Sequence, residues 1–220
     1  MNVLRAIEEL ASDLEKVGSE EPPAPRWTQD WFPRLDAAAA YAIVRTTRPA
    51  RIIEVGCGHS TRFLARAVRD GGLDTAMTSI DPAPRANLKG LDVQWIVQPV
   101  QTVDLLVFQA LDAGDILFVD SSHQLKAGSD VAFLFERVIP RLRRGVRLHF
   151  HDIFLPDAYP GGWEWRRYNE QESVGELLGK GYVQEFSSHQ ALKQRSLSGV
   201  LARLPLVPGA IESSLWLRKA

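Results

Sequence analysis

Four side chains stand out as able to move a proton or hold a cation: Asp120, His123, His151 and Asp152. They sit in Ile116-Leu117-Phe118-Val119-Asp120-Ser121-Ser122-His123 and in His149-Phe150-His151-Asp152, each time just past an apolar run of strand character. If the two runs are neighbouring parallel strands of an open sheet, their tips meet at the carboxyl edge, where ligands bind. Asp120, His151 and Asp152 could then hold a divalent cation. Oxygen ligands suit magnesium or calcium, and two histidines would tilt the site toward manganese, iron or zinc. Without a metal, His123 or His151 could act as general base on a substrate hydroxyl. His149 shares a strand face with His151 but lies deeper, as a structural histidine would.

A second constellation lies upstream. Ile52-Ile53-Glu54-Val55-Gly56-Cys57-Gly58-His59-Ser60-Thr61 reads as a strand, a glycine turn and the opening of a helix. Glycine lets the backbone turn sharply and approach a ligand, and Ser60 or Thr61 can cap the helix whose free N–H groups face that ligand. The following strand, Ala76 to Ile80, ends on Asp81, where a nucleotide ribose would lie and where a carboxylate can accept from both hydroxyls. No Gly-Lys-Ser/Thr triplet is present, which excludes a P-loop, and Ser60 stands where a dinucleotide site prefers a third glycine. Cys57 reads as a small buried residue with no base placed beside it, and His59 as a space filler in the loop. Trp163, Trp165, Arg166 and Tyr168, in the irregular segment after His149–Asp152, read as a pocket wall.

These residues need a frame. Strands are expected at Arg51–Val55, Ala76–Ile80, Val93–Val97, Ile116–Val119 and Val146–Phe150, alternating with helices at Thr61–Arg69, Val103–Leu111 and Asp130–Leu142. Such alternation implies a doubly wound, Rossmann-like α/β fold, with a mostly parallel sheet and helices on both faces. A helix at Glu172–Leu178 and strands at Tyr182–Phe186 and Ser213–Leu217 follow, the last as an antiparallel C-terminal strand; Leu192–Ala210 is ambiguous. Leu35–Thr46 reads as a helix preceding the first strand. Val3, Leu4, Ile7, Leu10, Leu14 and Val17 trace an amphipathic helix, and Pro22, Pro23 and Pro25 break it. Residues 1–25 are therefore expected as a helical appendage and linker, packed on their own domain or on a second copy in a homodimer, with residues 26–220 as the main domain.

Composition narrows the partners. The chain has 220 residues, 26 Lys plus Arg against 27 Asp plus Glu, and a formal net charge of -1, so no basic excess points to nucleic acid or an anionic membrane. Arg137, Arg141, Arg143, Arg144 and Arg147 form one local basic run, as at a solvated helix end. A single cysteine and the absence of a signal-like start or a long apolar run suit a cytoplasmic protein.

Taken together, Glu54-Val55-Gly56-Cys57-Gly58 followed by Asp81 resembles motif one and the second-strand acid of class I S-adenosylmethionine-dependent methyltransferases. The segments ending at Asp120 and Asp152 resemble the fourth- and fifth-strand ends of small-molecule O-methyltransferases, of the methyltransferase domain 24 type. The resemblance runs from Ile52 to Asp152. It implies S-adenosylmethionine held by Glu54, Gly56, Cys57, Gly58, Ser60, Thr61, Asp81 and Asp120, with Glu54 facing the sulfonium and ammonium. It implies methyl transfer to a small-molecule acceptor, most readily at oxygen, with Asp120, His123 and His151 as catalytic groups. Metal-dependent relatives hold magnesium with acids or amides at these strand ends, whereas this chain has His151 and Ile153 at such places. Two other readings use the same fold: a metal-dependent hydrolase or hydroxylase built on His149, His151 and Asp152, and a non-catalytic cofactor-binding domain.

Overall fold

Alternate residues of each central strand go to opposite faces, and both faces are buried, which is why the strands are almost wholly apolar. Ile52, Ile116, Phe118 and Trp216 join one core cluster; Ile53, Val55, Leu117, Val119, Leu148 and Phe150 join the other. The computed structural model describes residues 1–84, 88–194, 197 and 199–220. Its sheet comprises β1 (Arg51–Val55), β2 (Ala76–Ile80), β3 (Gln94–Ile96), β4 (Ile116–Val119), β5 (Arg147–Phe150), β6 (Tyr182–Ser187) and β7 (Leu215–Lys219). The order is β3-β2-β1-β4-β5-β7-β6. The first five strands are parallel, while β7 runs antiparallel to both β5 and β6. The order reverses between β1 and β4, so a crevice opens at the carboxyl ends of these two strands.

The helices are α1 (Val3–Glu9), α2 (Ala11–Leu14), α3 (Arg34–Thr47), α4 (His59–Asp70), α5 (Leu105–Gln109), α6 (Asp130–Phe133), α7 (Gln171–Gly179), α8 (Ser188–Gln194) and α9 (Gly199–Arg203). Helices α1, α3, α4 and α9 cover the first core face; α5, α6 and α7 cover the second. The expected helix over Asp130–Leu142 is α6 followed by a π turn (Leu134–Val138) and a 3-10 turn (Ile139–Arg141). Where Leu192–Ala210 was ambiguous, α8 ends and α9 forms, with residues 195, 196 and 198 outside the described residues.

Of the two placements expected for the N-terminal segment, the structure shows packing on its own domain. Val3, Ile7, Leu14 and Val17 are buried in the same cluster as α3 and the sheet. Each such side chain contributes about 1.5–3 kcal/mol on burial. Polar ties reinforce this packing: Asp13 pairs with Arg45, Glu20 with Arg66, and the Glu8 carboxylate accepts from the Val200 N–H that opens α9. The proline break lies after the helix, but Trp27 returns the chain to it, its indole N–H donating to the Leu14 carbonyl at 3.2 Å.

The basic run is held within the fold. Arg143 pairs with Asp112, Arg147 with Glu185, and Arg141 and Arg144 donate to backbone carbonyls. Among the described residues no helix is long and apolar enough to cross a membrane.

Candidate functional site

At the tip of β1 the chain turns at Gly56, whose φ is +87°. A Cβ there would stand 1.8 Å from the Asp120 carbonyl oxygen, so only glycine lets the β1 turn lie against the β4 tip. Asp81, at the tip of β2, accepts from the Cys57 N–H at 2.9 Å and from the Ala83 N–H at 2.7 Å. Each carboxylate oxygen keeps a second lone pair for an incoming hydroxyl. Cys57 is half-buried, and burial with the nearby Glu54 and Asp81 charges pushes its thiol up, so it stays protonated. Burial, with Arg62 and Arg26, brings His59 down to about 4, leaving a neutral ring in the loop.

Glu54 does not face this ligand space. Its side chain points to the α4 side of the sheet, fully buried, and accepts from the Ser60, Thr61 and Ser79 hydroxyls, each at 2.7 Å. Burial pushes its pKa up to about 7, against those three hydrogen bonds. Thr61 Oγ1 also accepts from the Gly58 N–H at 2.9 Å. Glu54 and Thr61, expected as cofactor ligands, therefore brace the glycine turn from behind. Gly56, Cys57, Gly58, Ser60 and Asp81 line a cavity of about 1270 Å³ at the crevice.

Asp120, His123, His151 and Asp152 line the same cavity on its β4–β5 side. His123 Nε2 lies 3.3 Å from Asp120 and 3.8 Å from Asp152; His151 Nδ1 lies 3.5 Å from Asp120 and 3.6 Å from Asp152. The outer nitrogens meet two further acids, neither of them expected as a partner of these histidines. His123 Nδ1 is 2.6 Å from Glu170, and His151 Nε2 is 3.3 Å from Asp36. Asp36 also accepts from the Ser213 and Ser214 N–H groups, both at 2.9 Å. This fixes α3 to the start of β7. His123 and Asp152 hold left-handed backbone, with φ of 58° and 55°. Such conformations cost on the order of 1–3 kcal/mol each and cluster at functional sites.

The electrostatics follow from this crowding. Burial alone would lower the pKa of His123, but Glu170 and Asp120 outweigh it and hold it well above the ordinary value. His151 behaves alike: burial lowers it, and Asp152, Asp120 and Asp36 raise it further. Burial would raise Asp120, yet the two imidazoles bring it well below the usual carboxylate range. Asp120 and the two imidazoles thus hold one another in their charged forms.

Such a cluster does not fit the expected metal site of Asp120, His151 and Asp152. Each nitrogen of His151 and His123 is turned to a carboxylate. Among the described residues, no group of three or more His, Cys, Asp or Glu side chains is arranged to hold a metal ion. The His149-based hydrolase site also fails to assemble. His149 is fully buried, stacked on Phe118 at 3.7 Å, with Nε2 2.9 Å from the Ser214 hydroxyl.

Trp163, Arg166 and Tyr168 line the cavity over this cluster. The Tyr168 ring stands 4.4 Å from the His123 ring. Trp165 departs from the expected wall: it is 74% exposed and not part of the lining.

Residues 53–153 match the family model of a methyltransferase domain. No curated protein is similar enough in sequence to count as a match. Among solved structures, cofactor-bound Rv0187 from MTB is similar at 16% identity over 100% of this chain and 90% of that one, with a TM-score of 0.51. The branched-chain polyamine synthase from Thermus thermophilus, solved with N4-aminopropylspermidine and 5′-methylthioadenosine, is similar at 14% identity over 98% of this chain and 64% of that one, with a TM-score of 0.53. The SAH-bound methyltransferase PaMTH1 of Podospora anserina shares 18% identity over 100% of this chain and 88% of that one, with a TM-score of 0.48. At these identities the likeness of Rv0187 and of the polyamine synthase speaks for the fold alone.

Proposed function

We propose that this chain, whose residues 53–153 match a methyltransferase domain, is a class I S-adenosylmethionine-dependent methyltransferase that methylates a hydroxyl oxygen of a small-molecule acceptor. One observation carries the reading. Asp81 accepts from the Cys57 N–H of the glycine turn, and that turn is pressed against Asp120, so Asp81 and the His–Asp cluster face one cavity. S-adenosylmethionine supplies an electrophilic methyl on a sulfonium. Asp81 accepts from the ribose hydroxyls, while Gly56 and Gly58 leave room for the chain of atoms running from β2 toward β4. Asp120, held ionised by its two imidazolium neighbours, accepts the hydrogen bond of the acceptor O–H and aligns it.

S-adenosylmethionine bound there would supply the methyl group and leave as the thioether, while the acceptor proton would go to His123 or His151 in its neutral form. Their raised pKa values make that form scarce at neutral pH, so the rate climbs into the alkaline range. The strained His123 and Asp152 and the buried charge around them favour this reading over a non-catalytic binding domain. Calorimetry with S-adenosylhomocysteine tests it: micromolar binding is expected, about -7 to -8 kcal/mol. No heat and no thermal shift with either that compound or S-adenosylmethionine would remove the assignment.

A further inference from the structure

Three buried or half-buried arginines of the fold pair with carboxylates. Arg34 meets Glu212 at 3.0 Å, Arg66 meets Asp70 at 2.6 Å, and Arg147 meets Glu185 at 2.8 Å. Arg166, in the short turn Glu164–Arg166 after β5, is held by rings instead. Its guanidinium carbon lies 4.2 Å from the Trp163 ring centroid, 5.0 Å from Trp165 and 5.5 Å from Tyr168. Nη1 donates to the Tyr168 hydroxyl at 3.0 Å. Nε is buried and has no hydrogen-bond partner, and among the described residues no carboxylate oxygen lies within 4.0 Å of the head group. Ring faces stabilise the cation but leave its in-plane N–H edge unsatisfied, and that edge is the fork that binds carboxylate or phosphate.

A second cation stands at the same mouth. Lys126, in the turn after β4, lines the cavity, is exposed, and among the described residues reaches the Gln124 amide oxygen alone, at 3.5 Å. The other end of that amide donates to the Arg166 carbonyl at 3.1 Å, so Gln124 ties the two cations to one rim. Below them the four acidic side chains Asp36, Asp120, Asp152 and Glu170 outnumber the two imidazoles. The mouth therefore attracts an anion and the floor repels it. Tyr168 measures the gap, its hydroxyl on Arg166 and its ring against His123.

We propose that the acceptor carries an anionic group, a carboxylate or a phosphate, gripped by Arg166 and Lys126, with its neutral hydroxyl about one aromatic ring away over Asp120. The proposal rests on the methyl-transfer reading for the role of the floor, but the anion site can be measured separately.

The experiment is calorimetry on the full chain, with and without saturating S-adenosylhomocysteine, using 4-hydroxybenzoate, 4-hydroxyphenyl phosphate and the neutral 4-hydroxybenzamide. At least one anion should bind tenfold or more tightly than the amide, and the order of the two anions tells carboxylate from phosphate. R166Q should abolish the preference, R166K should keep only part of it by losing the fork, and K126Q should lower it a few-fold. S-adenosylhomocysteine affinity should be unchanged in all three variants. Equal binding of amide and anions, no anion binding at millimolar concentration, or a preference that survives R166Q would overturn the proposal. If R166Q fails to fold, R166K and K126Q, each checked by thermal melting, decide the same question. An anion preference without any S-adenosylhomocysteine binding would instead sink the methyl-transfer reading and leave the anion site standing.

Discussion

The two halves of the cavity are built by opposite means. On the β1–β2 side, Gly56, Gly58, Ser60 and Asp81 lie within one strand-turn-helix-strand unit, and the buried Glu54 that braces them is part of it too. On the β4–β5 side, the cluster draws on Asp36 from α3, 115 residues from its partner His151, and on Glu170, 47 residues from His123. The first half depends on backbone geometry, satisfied by neutral hydroxyls around one acid. The second is an ionic network whose members hold each other in their charged forms. A local defect should therefore ruin the first half outright, whereas the second should respond through its titration.

The largest effect is expected at the seam between them. Gly56→Ala would drive a Cβ to 1.8 Å from the Asp120 carbonyl and place alanine at φ +87°. The cost should be about 3 kcal/mol or more, through overpacking and strain together. A lowered melting temperature with loss of S-adenosylhomocysteine binding is the outcome to look for. A variant that melts and binds like the parent would mean that the two tips do not press together, and the proposed coupling of the halves would fail.

A smaller and cleaner loss is expected at Asp81, where folding is not at stake. Asp81→Ala removes charge-assisted hydrogen bonds to two ribose hydroxyls and should weaken S-adenosylhomocysteine binding by about 1.5–3 kcal/mol. Its own bonds to Cys57 and Ala83 are in a turn, so the melting temperature of the free protein should move little. An unchanged dissociation constant in calorimetry would reduce Asp81 to a turn residue and leave the first half without its ribose anchor.

The same contrast explains what was legible in the sequence. The bounds of β1, β2 and β4 are those expected; β4 is wholly apolar and buried on both faces, while β1 and β2 carry Glu54, Thr78 and Ser79 among their apolar residues. The C-terminal strand was expected from Ser213 but begins at Leu215. The Ser213 and Ser214 N–H groups are taken by Asp36, a partner no local pattern reveals. Glu54 had the right type and place for a ligand, yet strand alternation turns it under the sheet, where three hydroxyls take it up. The N-terminal helix was legible as a helix, but its destination was not, since the proline break says nothing about Trp27 folding back. Asp36 and Glu170 could have been suspected only as lone acids in otherwise apolar or aromatic surroundings, a signal shared with many surface turns.

The smallest expected effect probes the second half through its protons. Glu170 is almost fully buried and sits 2.6 Å from His123 Nδ1. Glu170→Gln keeps the shape and removes the charge that, with Asp120, lifts the imidazole above its ordinary value of 6.5. The His123 pKa should fall back toward that value, and the rising limb of the rate profile should move to lower pH. Stability should change with the matching sign. A raised folded-state pKa stabilises fully below 6.5, and the contribution disappears as pH rises through the raised value. The gap in melting temperature between parent and variant should therefore be widest in mild acid and close in the alkaline range. Were the rate limb to stay in place while the melting gap behaved as described, Glu170 would only be holding the insert after β5 to the sheet. The base would then be His151, whose partner Asp36 stands on the other side of the cluster.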